Sequence, residues 1–324
     1  MKTHSASPRA PLMAAFLALI ALCAPALAFD LQGHRGARGL APENTLSAFR
    51  AALALGVSTL ELDVGLTRDG QVVIAHDRRL NPDITRSADG RWLAEAGPPL
   101  HTLTLAELQR FDVGRVRPGT RYAQTLPEQQ GVDGEPIPTL DALFTLVRAS
   151  GHERVRFNIE TKITPLAAAE TATPEVLLRA LLAVVKRHGM ARRVTVQSFD
   201  WRTLQLTQQL APEMSTVALT ARQSFIDNLS DPRWTAGLRL ADHGDSVPRL
   251  VKALGAQVWS PYHGELTEAL LAEARSLKLQ VIPWTVNAPE QIDRLVGWGV
   301  DGIISDYPDR VLKVLARRGM APDR

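Results

Sequence analysis

A chain of 324 residues can bury one large core or two small ones. Its 37 Lys and Arg stand against 34 Asp and Glu, a net charge of +3, and no basic patch marks a nucleic-acid surface. The single cysteine, Cys23, excludes a fold built on disulfides.

The chain begins with Lys2 and Arg9 before an apolar run at residues 12–22, followed by Ala26-Leu27-Ala28. A basic start, a short apolar stretch and a small-x-small site predict a secretory signal peptide over residues 1–28. A membrane anchor needs about 20 apolar residues with basic residues behind them; here Asp30 follows. Leu22 before Cys23 is too bulky for lipid attachment. The processed protein is therefore expected to be periplasmic or secreted. It would carry no thiol, two fewer positive charges and no stable membrane insertion.

Nine strand-like segments end near Gly33, Asp63, His76, Lys162, Ser198, Leu219, Ser260, Val286 and Ser305. After the first, Leu46, Phe49 and Leu53 share a helical face, with Asn44 as N-cap and Gly56 as stop. The third segment starts too soon after Asp63 for a parallel crossover, which takes a dozen residues or more. Asp69-Gly70 reads as a two-residue hairpin tip, so Arg68 would face Gln71 and Asp63 would face His76.

Residues 78–138 break the rhythm. They are rich in Pro, Gly and Arg and hold one capping box, Thr104 to Glu107, before Leu105, Leu108 and Phe111. The stretch is too long for a plain loop and predicts an inserted cap, whose trimming should change which ligand is preferred more than whether any is acted on. Next, Thr173-Pro174 opens a helix with Leu177, Leu178, Leu181, Leu182 and Val185 on one face, ended by Gly189. Residues 222–246 are irregular and read as a second rim loop. Three further helical faces follow: Val247, Leu250, Val251 and Leu254 before Gly255; Leu270, Leu271, Ala274 and Leu277; Ile292, Leu295 and Val296. Pro308 starts the last helix, with Val311, Leu312 and Leu315. With the hairpin strand set aside, eight strands alternate with helices. The pattern predicts an α/β fold, a distorted (β/α)8 TIM barrel with an inserted cap segment. An open doubly wound sheet is the alternative, but no Gly-rich phosphate fingerprint follows the first strand.

Strand side chains two apart share a face. Glu61 with Asp63, and Asn158 with Glu160 and Lys162, would therefore converge on one barrel mouth. Three carboxylates repel one another unless a cation sits among them, and an all-oxygen set suits Ca²⁺ or Mg²⁺ over Zn²⁺. Salt bridging is the competing reading. His76, returned by the hairpin, is placed to move protons near neutral pH. His34-Arg35-Gly36 ends the first strand, where barrel active sites are built; Arg35 offers a planar fork to phosphate and His34 a second proton-transfer group. Trp284, at a strand end, suits the apolar carbons or a cationic group of a ligand, against plain core packing. For Trp234, Trp259 and Tyr262 packing is the first reading.

In order, the chain carries His34-Arg35-Gly36, Pro42-Glu43-Asn44-Thr45, Glu61-Leu62-Asp63-Val64, Thr67-Arg68-Asp69-Gly70 and His76-Asp77. Asn158-Ile159-Glu160-Thr161-Lys162, Gln197-Ser198-Phe199, Trp284-Thr285-Val286-Asn287 and residues 302–308 continue the series. The series resembles the glycerophosphodiester phosphodiesterase family over nearly the whole processed chain. Departures from the family pattern, Thr161 and Gly65, lie outside the chemical residues. The resemblance implies a distorted barrel with a segment inserted after the hairpin. It implies two catalytic histidines, His34 and His76, and one divalent cation, Ca²⁺ or Mg²⁺, on Glu61, Asp63 and Glu160. Arg35 and Lys162 match its phosphate-contacting positions, and Glu43 a supporting carboxylate.

The expected reaction is hydrolysis of a glycerophosphodiester to an alcohol and glycerol 3-phosphate, with one histidine as base and the other as acid. Attack by the neighbouring glycerol hydroxyl, through a cyclic phosphate, and attack by water both fit the residues. A lipid-cleaving phospholipase D would want an apolar rim, whereas these rim segments are rich in Arg, Asp and Gly. An exported phosphodiester-binding protein accounts for Arg35 and Lys162 but not for two histidines beside three carboxylates.

Overall fold

The computed structural model describes Met1 and residues 29–323, so the expected signal peptide falls outside the described residues. The strands in chain order are β1 (Asp30–Gly33), β2 (Thr59–Leu66), β3 (Val72–Ile74), β4 (Arg156–Thr161), β5 (Val194–Ser198), β6 (Thr216–Thr220), β7 (Arg222–Gln223), β8 (Ile226–Asp227), β9 (Val258–Pro261), β10 (Gln280–Val281) and β11 (Gly302–Ser305). Eight are parallel neighbours in the order β10-β9-β6-β5-β4-β2-β1-β11. The ends of this series meet: the Asp301 amide donates to the Val281 carbonyl, and the Ile304 amide to the Pro283 carbonyl, both at 3.0 Å. The sheet is thus a nearly closed barrel, with β3 added antiparallel to β2.

The period of two decides which residues face inward. Leu60, Leu62 and Val64 of β2, with Phe157 and Ile159 of β4, belong to the main apolar core together with helix residues such as Phe49, Leu143 and Phe144. The alternate residues form a polar interior: Asn158 donates to Gln32 and Gln197, both at 2.9 Å, and Gln197 donates to Glu61. Phe144 and Phe157 meet edge to face at 4.8 Å, and both are fully buried. Phe157→Ala is expected to cost about 3–5 kcal/mol through the cavity it leaves. A lowered urea midpoint at unchanged m-value is the reading that checks it.

Two local expectations are corrected. The N-cap of helix α1 (Leu46–Leu55) is Thr45, whose hydroxyl accepts from the Ala48 amide. Asn44 instead takes a positive φ of 56° and turns its amide to Asp63. The hairpin register is shifted by one residue from that expected, with Leu66 opposite Val72 and Val64 opposite Ile74. Gly70, at φ 77°, lengthens the tip to three residues, so the amide facing the Asp63 carbonyl is that of Ala75. His76 lies one residue beyond that pair.

Residues 78–138 hold short helices at Leu105–Leu108 and Arg121–Thr125, the first closed by the Thr104–Glu107 capping box. Leu80, Leu100, Leu108, Val113 and Ile137 form a small second core against Val73 of β3. Residues 222–246 carry the β7–β8 hairpin and a 3-10 turn, Leu240–His243.

Candidate active site

The loop after β1 is pressed onto α1. Gly36 sits at φ 86°, and a Cβ there would lie 2.7 Å from the Ala48 backbone. This close approach carries His34 and Arg35 over the ends of β1 and β2, where the Arg35 amide donates to Glu61 at 2.9 Å. A cleft of about 610 Å³ opens there, lined by His34, Arg35, Glu61, His76, Glu160, Lys162 and Trp284 among others.

At its floor Glu61, Asp63 and Glu160 are buried and bring one carboxylate oxygen each within 4.8 Å of the others. Burial and the neighbouring Asp63 push the Glu61 carboxyl well up, and burial raises Glu160 to about 7 against the pull of Lys162. Asp63 is the exception. Burial would raise it, but His76, Lys162, Arg35 and the Asn44 amide hold it well below the usual carboxylate range. Its Oδ1 is buried with no hydrogen-bond partner among the described residues, and Lys162 Nζ lies 3.6 Å away. A set of hard oxygen donors that resists carrying its charge alone, with one oxygen left over, fits a divalent cation.

Both histidines are backed by an aspartate. His34 Nδ1 lies 2.6 Å from Asp306 Oδ1, and His76 Nδ1 lies 2.9 Å from Asp77 Oδ1. Asp306 also accepts from Arg38 Nε at 2.6 Å and Asn287 Nδ2 at 2.7 Å, while Asp77 accepts from Asn81 at 2.7 Å. Burial and Arg38 lower His34 to about 4 despite Asp306, and burial, Arg35 and Lys162 lower His76. A carboxylate on Nδ1 favours the tautomer with its proton there, leaving Nε2 free to exchange a proton.

The cations form a third group. Arg35 donates to Glu43 at 2.8 Å and lies 3.2 Å from Asp63. Lys162 donates to Glu160 at 2.6 Å. Trp284 donates its indole N–H to the Ser260 carbonyl at 3.0 Å and stands among Phe199, Phe225 and Tyr262, with ring centroids 5.3 to 6.5 Å away. Trp234 and Trp259 are buried away from solvent.

The glycerophosphoryl diester phosphodiesterase family model matches residues 34–310. The chain belongs to this family. Its members are phosphoric diester hydrolases. A glycerophosphodiester phosphodiesterase of Caldanaerobacter subterraneus subsp. tengcongensis is 28% identical over 286 residues, 88% of this chain and 97% of the relative. The glycerophosphodiester phosphodiesterase of Bacillus subtilis is 27% identical over 285 residues, 87% and 84% of the two chains. Among solved structures, a Silicibacter pomeroyi protein assigned to glycerophosphoryl diester phosphodiesterases superposes with a TM-score of 0.82 at 36% identity, covering 91% of this chain and 95% of its own. An Oleispira antarctica phosphodiesterase, solved with sn-glycerol-3-phosphate as product, shares the fold at a TM-score of 0.65 and 23% identity, over 89% and 97% of the chains.

Within this member of the family, all nine residues singled out from the sequence stand together: His34, Arg35, Glu43, Glu61, Asp63, His76, Glu160 and Lys162 around one centre, and Trp284 on its wall. Sequence reasoning assigned no chemistry to Asp306, Asn287, Asp77, Arg38, Asn44, Gln197 or Tyr122, all of which hydrogen-bond to that set or to its direct partners. Asp306, Asn287, Asp77, Asn44 and Gln197 lie inside the motifs that carried the resemblance. Arg38 and Tyr122 lie outside them.

Proposed function

We propose that this chain hydrolyses glycerophosphodiesters to an alcohol and glycerol 3-phosphate, with His34 and His76 as the acid–base pair. The observation that carries the reading is the pairing of two aspartate-backed histidines with a three-carboxylate cluster in one cleft. Glu61, Asp63 and Glu160 would hold a single divalent cation, Ca²⁺ or Mg²⁺, which when bound supplies charge stabilisation to the phosphoryl oxygens.

The chain's own residues do the rest. Arg35 and Lys162 hold the phosphate and meet the negative charge that grows on its oxygens. Glu43 keeps the Arg35 fork in place from behind. One histidine takes the proton of the nucleophile, water or the neighbouring glycerol hydroxyl, at Nε2; the other gives a proton to the departing alkoxide, and on the hydroxyl route water then opens the cyclic phosphate. Lowered histidine pKa values favour the neutral form in the resting site, which suits the base directly; the acid must first take up a proton. Trp284 and its aromatic neighbours offer apolar faces to the carbons of the alcohol, or a cation–π surface to a choline headgroup. Residues 78–138 are proposed as a cap over this cleft. The basic start and the apolar run at residues 12–22 support an exported enzyme, at work in the periplasm or outside the cell.

The test is release of glycerol 3-phosphate and choline from glycerophosphocholine by the purified protein, in stoichiometric amounts. Phosphatidylcholine cleavage in preference would favour a phospholipase, and binding without release would leave a binding protein. The N-terminal residue of the exported protein reads the processing site in the same preparation; a product that retains Met1 would count against export by signal cleavage.

A further inference from the structure

We propose that Tyr122, supplied by residues 78–138, is a positioning residue that holds the phosphate-facing Arg35 in place, together with Arg38 on the wall of the same cleft. The inference rests on the function proposed above and adds to the site a residue that lies outside the barrel.

Glu43 is the buried carboxylate behind the two arginines, and its oxygens are divided between partners. Oε1 accepts from Arg35 Nη1 at 2.8 Å, and Oε2 accepts from the Tyr122 hydroxyl. The same hydroxyl oxygen accepts from Arg35 Nη1 at 3.4 Å and Arg38 Nη1 at 3.2 Å. Arg38 Nη1 stands 4.0 Å from Glu43 Oε2, a long ion pair with the phenol oxygen between the two groups. The phenol therefore occupies the corner where Arg38 would otherwise close on Glu43. Burial and the adjacent carboxylate push its ionisation upward, so it stays a donor to Glu43.

The position of Tyr122 is itself fixed. The segment that follows it is tied to the loop bearing both arginines: Gln129 donates to the Arg38 carbonyl at 2.7 Å, and the Gln130 amide to the Leu40 carbonyl at 2.9 Å. Arg310 pairs with Glu128 from the other side. A stretch with its own small core thus reaches back and completes the ring around Arg35. Without the hydroxyl, Glu43 Oε2 loses its donor, and a buried unpaired carboxylate oxygen is costly enough to draw Arg38 onto it. Arg38 would then turn from the cleft, and the grip on phosphate would weaken while the histidines keep their own aspartates.

Tyr122→Phe removes only the hydroxyl. KM for glycerophosphocholine and the calorimetric Kd for glycerol 3-phosphate should rise together, roughly 5- to 30-fold. kcat should stay within about threefold, as expected when binding common to ground and transition states is lost. The melting temperature should move by no more than about 2 °C. Arg121→Ala, exposed on the same helix, should leave all four quantities unchanged. Unmoved KM and Kd in Tyr122→Phe would overturn the proposal, as would losses matched by a large fall in melting temperature. A wild-type chain that binds glycerol 3-phosphate but cleaves nothing would defeat the proposed activity, while the Kd shift would still decide the role of Tyr122. A wild-type chain that does neither would overturn both.

Discussion

Exhaustive chelation is expected to abolish release of glycerol 3-phosphate, and Ca²⁺ or Mg²⁺ added back is expected to restore it. The reason is the floor of the cleft. Glu61, Asp63 and Glu160 are buried with their oxygens within 4.8 Å, and burial already pushes two of the three toward protonation. Lys162 and Arg35 compensate part of that charge, yet Asp63 Oδ1 has no hydrogen-bond partner among the described residues. A missing cation removes several kcal/mol of charge stabilisation from the phosphoryl oxygens, on the order of a thousandfold in rate. Asp63→Asn should produce a loss of similar size by a different route. It keeps the volume but lowers the charge that would hold the ion. It also unbalances Arg35 and Lys162, and breaking a buried ion pair typically costs about 3–5 kcal/mol of stability. Chelation is the cleaner measurement because it leaves every side chain intact. Undiminished turnover by protein shown free of bound metal would sink the metal assignment while leaving the two histidines in place.

The three-carboxylate cluster was legible because it is built from local rules. Glu61 and Asp63 are two apart on β2, Asn158 and Glu160 two apart on β4, and the strands are direct neighbours with Glu61 opposite Asn158 and Asp63 opposite Glu160. Alternation and a parallel pairing suffice to bring them together. The barrel was legible for the same reason, since its strands and most of its helices announce themselves by period and cap. Residues without a local signature were not. Asp306 meets His34 across 272 positions of sequence, and nothing in its neighbours says which histidine it serves. The hairpin register failed on one torsion: Asp69-Gly70 suits a two-residue tip, but Gly70 was used as the third residue of a longer one. Asn44 and Thr45 are both good caps, and the choice between them was made by Asp63, which needs a donor. Tyr122 belongs to a stretch with weak periodicity, where a side chain's target depends on how the whole segment docks.

His34→Ala and His76→Ala are each expected to lower kcat by roughly two to four powers of ten, the usual range for loss of a general acid or base. Folding should survive, because both residues sit at strand ends on the barrel mouth rather than in its apolar core. His34→Ala leaves Asp306 with Arg38 and Asn287 as partners, and His76→Ala leaves Asp77 with Asn81, so neither aspartate is stranded. The double variant should lose less than the product of the single losses, since a base and an acid acting in one transition state are not independent. The two roles look alike in the static site, each histidine holding an aspartate on Nδ1 and offering Nε2. A leaving group separates them. p-Nitrophenolate departs without a proton, so a p-nitrophenyl phosphodiester should restore most of the rate only to the variant that lacks the acid. Rescue of both, or of neither, would mean that the proton transfers are not divided between these two residues. A loss of only a few-fold in each single variant on glycerophosphocholine would remove the acid–base assignment itself. The cleft would then have to work through charge stabilisation by Arg35, Lys162 and the carboxylate-bound cation alone.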